Sequence, residues 1–97
     1  MEQTLTAMPL LIAHQNLMLA RSKVLEQKYL EAAAALSMVA RSLAYFEMLG
    51  RGPNGQSAEF MRQRIEEYTA VMASDHSDAV SRIDDWMCRI RKWDGGK

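Results

Sequence analysis

Cysteine occurs once, at Cys88, in a chain of 97 residues. A single thiol excludes an internal disulfide and any cysteine-rich zinc site, and it suits a reducing compartment. A cytoplasmic location is therefore the expectation. Excess charge of one sign is missing as well: twelve Lys and Arg balance twelve Asp and Glu, so no overall field draws the chain toward nucleic acid or an anionic membrane. No stretch approaches the ~20 consecutive apolar residues that a membrane span requires. The first residues, Met-Glu-Gln, place an acid where a secretory signal carries Lys or Arg, and His14, Gln15 and Asn16 interrupt the apolar run that follows. No signal peptide is read there.

Proline and glycine are scarce and concentrated. Between Leu10 and Leu49, and again between Ala58 and Trp93, there is neither. The only strong punctuation is Gly50-Arg51-Gly52-Pro53-Asn54-Gly55, a turn signal that divides the chain nearly in half. Apolar residues make up 48% and charged ones 25%, which is too apolar for a disordered tail. A chain of this length is one domain by the usual length relation, and it buries only about two-thirds of its unfolded surface.

What is present has the period of a helix. Leu11, Met18, Leu25, Ala32, Val39 and Phe46 recur every seven residues, joined by Tyr29, Leu36 and Leu43 at steps of three and four. In the second half Met61, Ile65, Tyr68, Met72, His76, Ala79, Ile83, Trp86, Ile90 and Trp93 form one seam with a stutter near His76. Pro9 sits where a first turn tolerates it, and Ser57 is a good N-cap with Glu59 following. The reading is an all-α fold: helix 9–49, a Gly/Pro turn 50–56, helix 57–93 and a flexible tail 94–97. Two long helices of nearly equal length make an antiparallel hairpin, with two hairpins expected to associate as a dimeric four-helix bundle.

Two departures from that hairpin remain open. Ser74-Asp75-His76-Ser77-Asp78 is a cluster of capping residues that would start a third helix and give a compact three-helix bundle with a break near 74–78. A break near Gln27-Lys28 is the other, since Tyr29-Leu30-Glu31-Ala32-Ala33 resembles the second helix of a tetratricopeptide unit, although no repeat follows at the required period.

No motif rises to a catalytic centre. Gly50 to Gly55 spells G-x-G-x-x-G, but it follows a helical pattern rather than a strand, so it reads as a turn and not a pyrophosphate cradle. His14 and His76 lie far apart and no His-x-x-x-His pair exists, so neither metal nor cofactor is expected. His76 reads as a partly buried or helix-breaking residue. Glu66-Glu67 and Asp84-Asp85 are neighbours that diverge by about 100° on a helix and cannot converge on one substrate atom. Cys88 has no His or acid positioned to complete a nucleophile. Arg21, Lys28 and Arg41 are the cations a small helical enzyme would use to grip a carboxylate, but no acid and base can be paired with them. An enzyme is not expected.

The feature that points to function is apolar. Leu10-Leu11-Ile12, Leu17-Met18-Leu19 and Val24-Leu25 repeat every seven residues, a stripe wider than one facing helix covers. Folding the chain at about Pro53 brings Trp86 and Trp93 alongside residues 13–20. Leaving such side chains bare forfeits about 1.5 to 3 kcal/mol each, so a partner should cover them. The expected contact set is Leu10, Ile12, Leu17, Met18, Leu19, Val24, Trp86, Ile90 and Trp93. The leading expectation is a non-catalytic chaperone, adaptor or protein inhibitor that binds a protein partner or a second copy of itself. The alternative is a nucleic-acid-associated regulator using Arg89, Arg91 and Lys92, the one concentrated basic segment.

Overall fold

The computed structural model describes residues 8–48, 53–72 and 74–95, with the side chains of 53–56 and 93–95 outside the description. Among the described residues the chain is all-helical, with four helices: α1 (Met8–Leu25), α2 (Tyr29–Met48), α3 (Pro53–Val71) and α4 (Ala79–Gly95). Each of the two long helices read from the sequence is thus two shorter ones. The hairpin of two helices and the bundle of three are both replaced by a compact helical bundle, 38 × 22 × 19 Å.

The first break is a helix C-cap made without glycine. Gln27 has φ 63°, the left-handed conformation that ends a helix. Around it the Lys28 amide donates to the Lys23 carbonyl at 2.8 Å and the Gln27 amide to the Val24 carbonyl at 2.9 Å. This crossed pair satisfies the last carbonyls of α1 as a Schellman cap. Lys28 then accepts the first bond of α2 from the Ala32 amide. Lys23 and Glu31 close the turn as an ion pair at 3.0 Å.

The second break is the capping cluster. The Ser74 hydroxyl and amide and the Asp75 amide all donate to the Val71 carbonyl, ending α3. Asp78 starts α4: its carbonyl accepts from the Arg82 amide and its carboxylate from the Arg82 guanidinium. Between α2 and α3, helix α3 begins at Pro53, so Ser57 lies inside a helix instead of capping one. Pro at the first helical position loses no hydrogen bond there. Helix α4 runs to Gly95, past the expected boundary at 93.

Packing follows side-chain size. Helix α2 lies between α1 and α3, and α4 returns to the free flank of α1. Ala13, Ala20, Ala32 and Ala35 are all buried, and such small residues let α1 and α2 approach closely. Helices α3 and α4 contribute Met61, Ile65, Tyr68, Met72, Ile83, Trp86 and Ile90 to the same core. Tyr68 meets Trp86 edge to face with ring centroids 6.1 Å apart, a favoured geometry for aromatic quadrupoles.

Candidate functional site

Five of the nine expected contact residues belong to the core. Leu10, Leu17, Val24, Trp86 and Ile90 are buried by the chain's own helices, Leu17 with no exposed surface at all. They are unavailable to a partner while the bundle is closed. Ile12, Met18 and Leu19 stay outside, with Met18 54% and Leu19 47% exposed. The side chain of Trp93 lies outside the described residues.

Helix α1 is consequently apolar on both sides. Leu10, Ala13, Leu17, Ala20 and Val24 face inward, whereas Met8, Leu11, Ile12, Met18, Leu19 and Leu25 are exposed. At about 100° per residue the exposed set forms two lines, Leu11-Met18-Leu25 and Ile12-Leu19, with Gln15 and Ser22 between them. A helix of a soluble bundle normally confines its apolar residues to one stripe. The only Lys or Arg in α1 are Arg21 and Lys23, and no Asp or Glu occurs in it. Arg21 donates to Asp84 of α4 at 2.8 Å and Lys23 pairs with Glu31 of α2, so both cations are tied down at the flanks of the stripe. The ion pair holds the Glu31 carboxyl below its ordinary value and Lys23 above its own.

The apolar surface continues onto α2. Glu31, Met38 and Tyr45 are seven residues apart on one line of that helix, and Glu31 fixes the line beside α1 through Lys23. Met38 and Tyr45 are both exposed. The sequence signal for these two was present, because they repeat with the same period, but they stood outside the wide stripe of the first three turns.

The remaining candidates resolve one by one. His76 is half-buried and stacks on Tyr29, ring centroids 3.7 Å apart and planes 16° from parallel. His14 lies against Arg91 of α4 at 3.4 Å. Arg89 donates to Asp85 at 2.9 Å, so of the basic C-terminal segment Arg89 and Arg91 both have neighbours within the bundle, while Lys92 is exposed. Cys88 is exposed. Lys28 pairs with Glu26. Arg41 lines a shallow groove of about 240 Å³ between α2 and α3, together with Leu36, Ala40, Arg62, Ile65 and Glu66. Arg62 there is bound by Glu47 in bidentate fashion and by Glu66, which holds its guanidinium above its ordinary pKa, Glu47 contributing most. That arrangement locks α2 to α3 and uses up the groove's central cation.

Among the described residues no three His, Cys, Asp or Glu side chains stand together as metal ligands. Of the G-x-G-x-x-G segment, residues 50–52 lie outside the description, the helix α2 precedes it, and Pro53 to Gly55 form the start of α3. No described helix is long and apolar enough to cross a membrane. The described residues form an all-α helical bundle with an exposed apolar face on its first described helix. No protein-family model matches it, and neither a curated protein nor a solved structure does so.

Proposed function

We propose that the protein is a non-catalytic interaction module that docks an amphipathic helix of a partner protein against the outer face of α1 and the adjoining edge of α2. One observation carries this reading: α1 exposes Met8, Leu11, Ile12, Met18, Leu19 and Leu25 while its opposite side is already buried. The seven-residue recurrence of Leu11, Met18 and Leu25 matches the spacing at which a second helix sets its own side chains between those of the first. With both cations of α1 paired at the flanks and Gln15 and Ser22 between its two apolar lines, the partner's contacting ridge is uncharged and carries apolar side chains on either side of a polar centre. These six side chains are already about half buried, so covering the rest would contribute about 1 kcal/mol each before the costs of association.

The test is site-directed photo-crosslinking in the native host. A photoreactive residue at position 18 should give one discrete adduct, mapping to an amphipathic helical segment of another protein, and the same group at exposed Gln63 of α3 should give none. Leu19→Asp, on the half-exposed outer face where the change costs on the order of 1 kcal/mol, should abolish the adduct with the far-ultraviolet spectrum unchanged. Equal labelling from positions 18 and 63, or an adduct insensitive to Leu19→Asp, would sink the proposal. Leu17→Asp is the unsuitable variant, because it places a charge in the core.

A further inference from the structure

The borders of α1 are fixed by its polar contacts. Lys23 reaches Glu31 of α2, and Ile12, Asn16 and Leu19 lead up to it at steps of four, three and four, so this line runs along the α2 border. Arg21 reaches Asp84 of α4 and His14 lies against Arg91. Leu11, Met18 and Leu25 alternate with those two at steps of three and four, so they run along the α4 border. The borders differ in what lies beyond them. Asp84 and Arg91 flank the α4 side, whereas Met38 and Tyr45, 44% and 67% exposed, flank the α2 side. The apolar surface is thus a valley between α1 and α2, walled by Ile12 and Leu19 on one side and by Met38 and Tyr45 on the other.

One unpaired charge stands in the α2 wall. Glu31, Ala34, Met38, Arg41, Tyr45 and Met48 are all exposed and succeed one another at steps of three and four, the spacing of a helix-helix seam. Arg41 occupies that line between Met38, one turn before it, and Tyr45, one turn after. The positions three and four residues away on α2 are Ser37, Met38, Ala44 and Tyr45, none of them an acid. Among the described residues no Asp or Glu lies within ion-pair distance of Arg41, whereas Arg21, Lys23, Lys28, Arg62, Arg82 and Arg89 each hold one. Glu66 lines the shallow groove on the other side of Arg41, but its carboxylate is engaged by Arg62.

We propose that the partner's helix lies in the valley between α1 and α2 and brings an Asp or Glu of its own to Arg41, one carboxylate set inside an otherwise apolar ridge. This rests on the docking reading above and names the partner's chemistry. A helix that covers Met38 and Tyr45 takes the guanidinium between them out of water. A shielded charge without a counterion is strongly unfavourable, whereas a carboxylate meets a guanidinium through two parallel hydrogen bonds. Lys23 opposite Glu31 sets the antiparallel register of α1 and α2, which puts Arg41 level with Ala13, one residue from Ile12 of the opposite wall. The acid therefore falls within the docked segment and not at its end, three or four residues from the side chains that meet Met38 and Tyr45. It fixes the register the partner takes, as a polar residue does in a helix-helix seam. A partner with Lys or Arg at that place is repelled.

Peptide display on the native chain tests this. The library is a set of helical peptides of about 20 residues, ~30 Å long, with a Leu and Met ridge in which each ridge position is randomised in turn. Selected peptides should carry one Asp or Glu in the ridge and should lose binding to Leu19→Asp. By fluorescence anisotropy, replacing that acid with Lys should raise Kd by on the order of tenfold or more. Arg41→Gln should remove the preference and Arg41→Glu should invert it. Lys92→Glu, which makes the same charge change at an exposed position of α4, should leave it intact. Peptides that bind through Leu19 with a wholly apolar ridge, or a preference that survives Arg41→Gln, overturn this inference and leave helix docking standing. Failure of every peptide overturns both. Dimerisation by light scattering, or binding to phosphatidylglycerol vesicles, that Leu19→Asp removes would then put a second copy or a lipid surface on the face.

Discussion

Gln27 holds a backbone conformation that suits glycine. A left-handed residue with a side chain costs about 1 to 2 kcal/mol relative to the right-handed form, a cost that glycine escapes. Gln27→Gly is therefore expected to stabilise the closed bundle by about 1 kcal/mol, seen as a rise of ~4 to 8 °C in the thermal midpoint. A fall in the midpoint would mean that the cap is not what ends α1. The break near Gln27-Lys28 was open as an alternative through the resemblance of the residues after it and not through a capping residue, and Gln27 explains why. Helix ends announce themselves through Gly, Asn or Pro, and Glu26-Gln27-Lys28 contains none of them. The second break was legible as an alternative because Ser74, Asp75, Ser77 and Asp78 are capping residues by chemistry. Pro53 stands at the start of α3, yet the expected helix began four residues late, at 57, because the glycines around the proline suggested a longer turn.

At the scale of elements, the apolar period was read correctly in kind and displaced in phase. Counting back by sevens from Phe46, Val39 and Ala32 reaches Leu25, Met18 and Leu11, which are exposed; the buried line is Val24, Leu17 and Leu10, one residue earlier. The turn at Gln27 causes the offset. Once each long helix divides, four helices share one core, and they cover Leu10, Leu17, Val24, Trp86 and Ile90 without outside help. A broad apolar stripe in the sequence thus marked a helix that is apolar on two sides, while which side faces outward depended on a turn that no Gly, Asn or Pro marks. The antiparallel register was legible: folding near Pro53 places Trp86 beside residue 20, and the contacts of His14 with Arg91 and Arg21 with Asp84 have that spacing. Between α2 and α3 the fastening is the Arg62 and Glu47 pair, both less than a quarter exposed. A double-mutant cycle with Arg62→Met and Glu47→Gln should give a coupling of about 1 kcal/mol, above the surface-pair range of the exposed Arg89 and Asp85. Equal couplings for the two pairs would remove the distinction.

For the molecule as a whole, Tyr68 ties the alkaline limit of stability to the closure of α3 against α4. Burial raises its phenol above the ordinary value near 10, with Asp78 adding to the rise, Arg82 opposing it and Asp75 adding a smaller push. The folded state therefore holds that proton more tightly than the unfolded chain. This contribution is fully present below pH 10 and is lost as pH rises through the folded-state value. The thermal midpoint of the native protein should fall more steeply above pH 10 than that of Tyr68→Phe, which has no proton to lose. Parallel profiles would place the alkaline sensitivity elsewhere.

The pairing of α1 with α4 joins the first described helix to the last, and this has a consequence for the order of synthesis. Helix α1 leaves the ribosome first, finds α2 within a few dozen residues, and waits for its other flank until α4 has been translated. For that interval Leu10 and Leu17 are only partly covered, while the outer line of Leu11, Met18 and Leu25 is bare. A nascent chain halted before α4 thus leaves bare both the outer face of α1 and the flank that α4 covers, which the finished protein reduces to the outer face.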